Sequence, residues 1–131
     1  MMRLRLGAVA AVLAVAAVAF TALRPGEAQT TYSVADIAQG KYLVESVGFC
    51  QGCHAQNLMG QPGAANNPNA IPYPRIAGLP MFANDADAIK FFETGLLPDG
   101  SKARPPMRQF RFKPSDAQAL VAYLRSLPAA P

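Results

Sequence analysis

A chain of 131 residues holds one domain at most. Twelve prolines and ten glycines favour a loop-rich protein with short helices, and two cysteines with one histidine fall short of the about four ligands a zinc site needs. The formal net charge of +4 gives no basis for nucleic-acid binding, because part of it lies in a stretch that reads as a targeting segment.

That stretch comes first. Met1-Met2-Arg3-Leu4-Arg5 is basic, and Leu6 to Leu23 is an uncharged run dominated by alanine and valine. Arg24-Pro25-Gly26-Glu27-Ala28 follows, with the small residues Gly26 and Ala28 at a plausible cleavage position. Residues 1–28 are therefore expected to be a cleaved secretory signal, and 29–131 the working domain. An uncleaved anchor is the alternative. The run is about eighteen residues, at the lower limit for spanning a bilayer, and alanine is weakly hydrophobic. Both readings put the domain outside the cytoplasm, in the periplasm, because the positive flank stays inside. Cleavage removes three arginines and Glu27, taking the net charge from +4 to +2.

Gln29 to Tyr32 reads as a short tail. Ser33-Val34-Ala35-Asp36 resembles a capping box with Asp in place of Glu, and predicts a helix from about Val34 to Val47. Ile37, Tyr42, Leu43 and Val47 suggest its apolar side. Gly40 is poor for helix propensity, so it marks either close approach of a second helix or a tolerated defect.

Gly48 ends that helix and leads into Cys50-Gln51-Gly52-Cys53-His54, the C-x-x-C-H signature of covalent haem attachment. Each thiol adds across one porphyrin vinyl group. Two intervening residues let one turn of backbone present both sulfurs to the same porphyrin edge, and the next residue can offer its imidazole to iron. Gly52 has no side chain to obstruct a macrocycle against the backbone. A redox Cys-x-x-Cys would need a βαβ setting, and none is near. The motif also uses every cysteine and the only histidine in the chain.

Asn57 to Pro74 carries Pro62, Pro68, Pro72 and Pro74 among asparagines, and predicts a long loop that wraps the haem edge or moves. Asn84-Asp85-Ala86-Asp87 is an N-cap signature, Ala88, Ile89, Phe91 and Phe92 supply an apolar face, and Gly95 stands where a helix-ending glycine should. Leu97-Pro98-Asp99-Gly100 is a turn. Pro114-Ser115-Asp116-Ala117-Gln118 reads as a Ser-x-x-Gln capping box before an apolar face of Leu120, Val121, Tyr123, Leu124 and Leu127, closed by Pro128. The fold class is all-α: three main helices and long loops, with no convincing strand run.

Iron bound by His54 has one axial position left, and no second histidine exists to fill it. A methionine thioether is the next candidate. Met1 and Met2 lie in the targeting segment. Met59 follows His54 too closely to reach the opposite face, and Met81 sits in an apolar context that suits core packing. Met107, in Arg104-Pro105-Pro106-Met107-Arg108, is favoured, with Met81 second. Two prolines stiffen the backbone into an extended form that can hold a sulfur in both oxidation states.

The order of helix, Cys-x-x-Cys-His, loop, middle helix, methionine loop and a C-terminal helix ending Tyr-Leu-Arg-Ser-Leu-Pro resembles a class I cytochrome c over about residues 33 to 128. Gly95-Leu96-Leu97-Pro98-Asp99-Gly100 followed by Pro105-Pro106-Met107 is similar to the cytochrome subunits of periplasmic and membrane-bound dehydrogenases. The resemblance implies one haem c and packing of Gly40 and Tyr42 or Leu43 against Tyr123 and Leu124. It also implies a proline carbonyl accepting from the His54 ring N–H, with Pro74 the match and Pro72 second.

The ligand set implies an electron carrier rather than an enzyme, passing single electrons between a dehydrogenase and a respiratory acceptor. Lys102, Arg104, Arg108, Arg111 and Lys113, with no acid among them, form a basic stretch that would rim the haem edge and steer an acidic redox partner. The bland alternative is a solvated face, with one or two of these or Arg75 pairing with haem propionates. A gas-binding or sensor haem, with an open or displaceable sixth site, is the other function class, and a peroxidase-like enzyme lacks its usual distal histidine.

Overall fold

The computed structural model describes residues 31–63, 65–67 and 69–128. The expected signal segment, residues 1–28, lies outside the described residues. Among the described residues no helix is long and apolar enough to cross a membrane.

Helix α1 spans Val34–Tyr42 and opens with the expected capping box: Asp36 N–H donates to Ser33 Oγ at 3.1 Å, and Ser33 N–H donates to Asp36 Oδ2 at 3.3 Å. The helix continues as a π-helical turn over Leu43–Val47. Its wider winding shifts the register by a residue, which buries Leu43 and Val44 together at 4 % and 0 % exposure. The expected apolar side is corrected accordingly: Val44 belongs to the core, while Tyr42 and Val47 are exposed. The turn also hands the chain on, since the Val44 carbonyl accepts from Cys50 N–H at 3.0 Å.

Helix α2, Gln51–His54, is the single turn made by the haem motif. The Asn/Pro-rich loop after it is closed at its neck, where Gln61 and Tyr73 exchange backbone hydrogen bonds of 3.0 and 2.9 Å. Leu58, 1 % exposed, fixes the loop's other side: its carbonyl accepts from Ile76 and Ala77 N–H. Helix α3, Asp85–Thr94, has Asn84 as N-cap, accepting from Asp87 N–H, and ends at Gly95 in the left-handed region at φ 70°. Only a residue without Cβ takes that conformation freely.

Helix α4, Pro114–Ser126, starts one step earlier than its predicted cap. Lys113 is the N-cap and Pro114 occupies the first turn, so Ser115 lies inside the helix and its capping box does not form. Ala119 through Leu124 are all buried, which is the signature of a helix covered on every side. Helix α1 covers one side. Gly40 allows this approach, because a Cβ there would lie 1.9 Å from the Ala119 carbonyl oxygen and 2.7 Å from Tyr123 Cβ. The close-approach reading of Gly40 is therefore correct. Helix α3 covers another side, with Phe82, Phe91 and Phe92 stacked edge to face and tilted in a chain of ring contacts near 5.4 and 5.3 Å. The fold is all-α; among the described residues only two isolated bridges break the pattern of helices and loops.

Candidate haem site

A cavity of about 580 Å³, within the ordinary range for a cofactor site, opens between the motif turn α2, helices α3 and α4, and the loops that join them. Cys50, Cys53 and His54 line it on one side and Met107 lines it from the loop before α4. The rest of its wall is largely apolar, including Leu79, Phe82 and Leu97, and among the described residues no carboxylate lines it. The residues present fit a covalently held porphyrin: two thiols on one turn, an imidazole beyond them, and an apolar slot.

The motif turn is held between two residues at positive φ, Phe49 at 51° and Ala55 at 66°. Such conformations are disfavoured for side chains with a Cβ and persist where surroundings enforce them. The Phe49 ring lies beside Gly52, where a Cβ would meet it at 2.8 Å, so the absent side chain also admits this ring. Burial, then the neighbouring Cys53, pushes the Cys50 thiol up to about 11.

His54 is buried at 6 % exposure, and its Nδ1 lies 2.7 Å from the Pro74 carbonyl oxygen. A carbonyl only accepts, so Nδ1 carries the proton and Nε2 keeps its lone pair for a metal. Pro74 is the expected partner, reached across the long loop. The Tyr73 ring meets the imidazole edge-on at 6.4 Å. These contacts fix the imidazole's tautomer and plane.

The prolines before Met107 do not run extended. Met107 N–H donates to the Arg104 carbonyl at 3.1 Å, closing a turn that contains a cis Pro105–Pro106 bond. Phe112 N–H donates to the Phe92 carbonyl at 3.0 Å and ties this loop to α3. Met59 packs on the core and does not line the cavity. Met81 is not a core residue: it is 57 % exposed and lines the cavity. It follows a helixless bend, and local apolar sequence did not reveal which way that bend faces.

Of the basic residues, Lys102, Arg104 and Arg108 line the cavity and are exposed. Arg111 is used by the fold, donating to the Thr94 carbonyl at the end of α3 and to the neighbouring Phe110 carbonyl. Lys113 pairs with Asp116 at 3.9 Å in the first turn of α4. Arg75 is not among the cavity-lining residues. Sequence reasoning did not single out Arg125, a half-buried residue near the end of α4 that binds Asp85 and three backbone carbonyls. The only signal for it was one cation inside an otherwise apolar stretch.

Fold and cavity together define a small helical protein with a covalent haem slot. Residues 37–128 match the family Cytochrome c, so the chain belongs to the cytochrome c family. No curated protein sequence matches the chain significantly. Membership means a covalently bound haem c and electron transfer through it to and from redox protein partners; the chain is an electron carrier, not an enzyme.

Proposed function

We propose that this is an exported, periplasmic monohaem carrier, with iron held between His54 and Met107, passing single electrons between a dehydrogenase and a respiratory acceptor. The observation that carries the ligand assignment is the sharing of one cavity by His54, with Nδ1 committed to Pro74, and Met107, half-buried on a tight turn. Bound haem supplies the one-electron couple. The chain contributes the imidazole and the thioether and surrounds them with apolar side chains. A low-polarity setting disfavours the extra charge of the oxidised state, and a thioether is a weak donor that favours the reduced one.

Lys102, Arg104 and Arg108 at the cavity mouth support docking of an acidic partner there. Redox encounters use small, short-lived interfaces, so binding is weak and salt-sensitive. Export is supported by the basic start and uncharged run of residues 1–28. N-terminal sequencing of the exported protein tests it, with Gln29 as the expected first residue and an intact Met1 as the sign of an anchor.

The ligand assignment is tested with the weak far-red sulfur-to-iron band of the oxidised protein. Met107→Ala is expected to abolish it and Met81→Ala to leave it. The reverse pattern would assign Met81 instead.

A further inference from the structure

Two methionines line the cavity, and they are held in different ways. Met107 is half-buried on its own turn, whereas Met81 lies at the rim, 57 % exposed, in the helixless segment 78–82. One side chain from α4 holds that segment. Arg125 donates through Nη1 to the Gly78 carbonyl at 2.7 Å and the Leu79 carbonyl at 3.4 Å, and through Nη2 to the Phe82 carbonyl at 3.1 Å. Its Nε donates to Asp85 Oδ1 at 2.8 Å, and the Tyr32 hydroxyl donates to the other oxygen of the same carboxylate. The Leu124 carbonyl, one residue before Arg125, accepts from Gly78 N–H at 2.8 Å.

The bound carbonyls therefore stand on both sides of Met81. A guanidinium presents its donors in a rigid planar fork, so it fixes the spacing of those carbonyls as a flexible ammonium would not. The same segment carries Leu79 and Phe82, buried at 2 % and 8 %, into the cavity wall.

We propose that Arg125 is a positioning residue for the haem site: by clamping the backbone on both sides of Met81, it holds the second thioether at the rim and leaves Met107 as the sulfur presented to iron. This rests on the His54/Met107 reading. The clamp acts through the wall, not by touching the iron. Its carboxylate partner keeps the guanidinium oriented.

The test follows the far-red band in the oxidised holoprotein. It is expected in the native chain, absent in Met107→Ala, restored in Met107→Ala/Arg125→Gln, and absent again when Met81→Ala is added. A band in Met107→Ala with Arg125 intact overturns the proposal, as does a folded, haem-loaded Met107→Ala/Arg125→Gln protein without one. Loss of the native band on Met81→Ala alone would overturn the ligand reading instead. Should the double variant fail to hold haem, amide exchange in Arg125→Lys decides. The amides of Leu79, Met81, Phe82 and Ala83 are expected to exchange about tenfold faster while those of α4 are unchanged, the factor that ~1.4 kcal/mol of local stability gives. Uniform acceleration, or none, overturns the clamp.

Discussion

The His54 imidazole and the Pro74 carbonyl lie 2.7 Å apart, although twenty residues separate them in the chain. Gly60 makes the meeting possible. It stands at φ 82°, and a Cβ there would lie 2.6 Å from the Tyr73 carbonyl oxygen, 2.7 Å from Arg75 N and 2.8 Å from the Pro74 carbonyl carbon. The peptide that receives the histidine proton thus rests directly on a glycine.

Gly60→Ala is expected to push that peptide away from His54. Backbone atoms on every near side leave nothing flexible to give way, so a loss of about 1–3 kcal/mol is expected in denaturant melts. A weaker hydrogen bond makes the imidazole a poorer donor, and the reduction potential should rise; about 59 mV corresponds to a tenfold change for one electron. Gly100→Ala is the control. Gly100 has φ 81° but nothing within 4 Å of its added Cβ, so it should lose some stability and leave the potential alone.

Gly40→Ala strikes the contact between α1 and α4. The added methyl would overlap the Ala119 carbonyl, and the helices must separate. Overpacking of this kind costs about 1–3 kcal/mol. The expected result is a lower denaturation midpoint with an unchanged slope, and a far-red band that survives in the folded fraction.

Tyr123 links stability to alkaline pH. Burial, then the hydrogen bond its hydroxyl donates to Glu45 at 3.0 Å, pushes its pKa up to about 12 from 10.0. The folded state therefore favours the protonated phenol. Its contribution is fully present below pH 10 and is lost as pH rises from 10 toward 12. Tyr32 is raised too, by burial and then by Asp85, and adds a loss of the same sign. Melting temperature should fall across that window, and less steeply in Tyr123→Phe; an equal slope in the variant would contradict the linkage.

Charge reversal separates docking from folding. Lys102→Glu or Arg108→Glu should slow electron exchange with an acidic partner several-fold at low salt, and the difference should shrink as salt rises. Arg111→Ala should instead lower stability, because its guanidinium serves the Thr94 carbonyl that ends α3, and leave the exchange rate near native. Stopped-flow reduction across a salt series reads both.

What could be read from the chain alone was what local chemistry decides. The Ser33/Asp36 capping box, the Asn84 cap, the Gly95 ending and the motif turn each depend on a few neighbouring residues, and each stands where their spacing implies. The packing partners of Gly40, and Pro74 as the partner of His54, were reached through family resemblance, since they lie far along the chain. The π turn was not legible: the registers of Leu43 and Val44 depend on what α4 leaves to be filled. Nor was the start of α4, where Pro114 in the first turn outcompeted the Ser115 box. The exposure of Met81 and the part played by Arg125 escaped for a related reason. Which way a bend faces is set by tertiary hydrogen bonds such as those to the Gly78 and Phe82 carbonyls, and no periodicity encodes them.

The central claim is an iron saturated by the imidazole of His54 and the thioether of Met107, built to pass electrons. Its most direct test is the optical spectrum of the exported holoprotein, oxidised and reduced, with and without carbon monoxide at neutral pH. A low-spin spectrum with the far-red band, unchanged by carbon monoxide, is the expected result. A high-spin spectrum, or a prompt shift on adding the gas, would contradict it and point to a haem with an open or displaceable site.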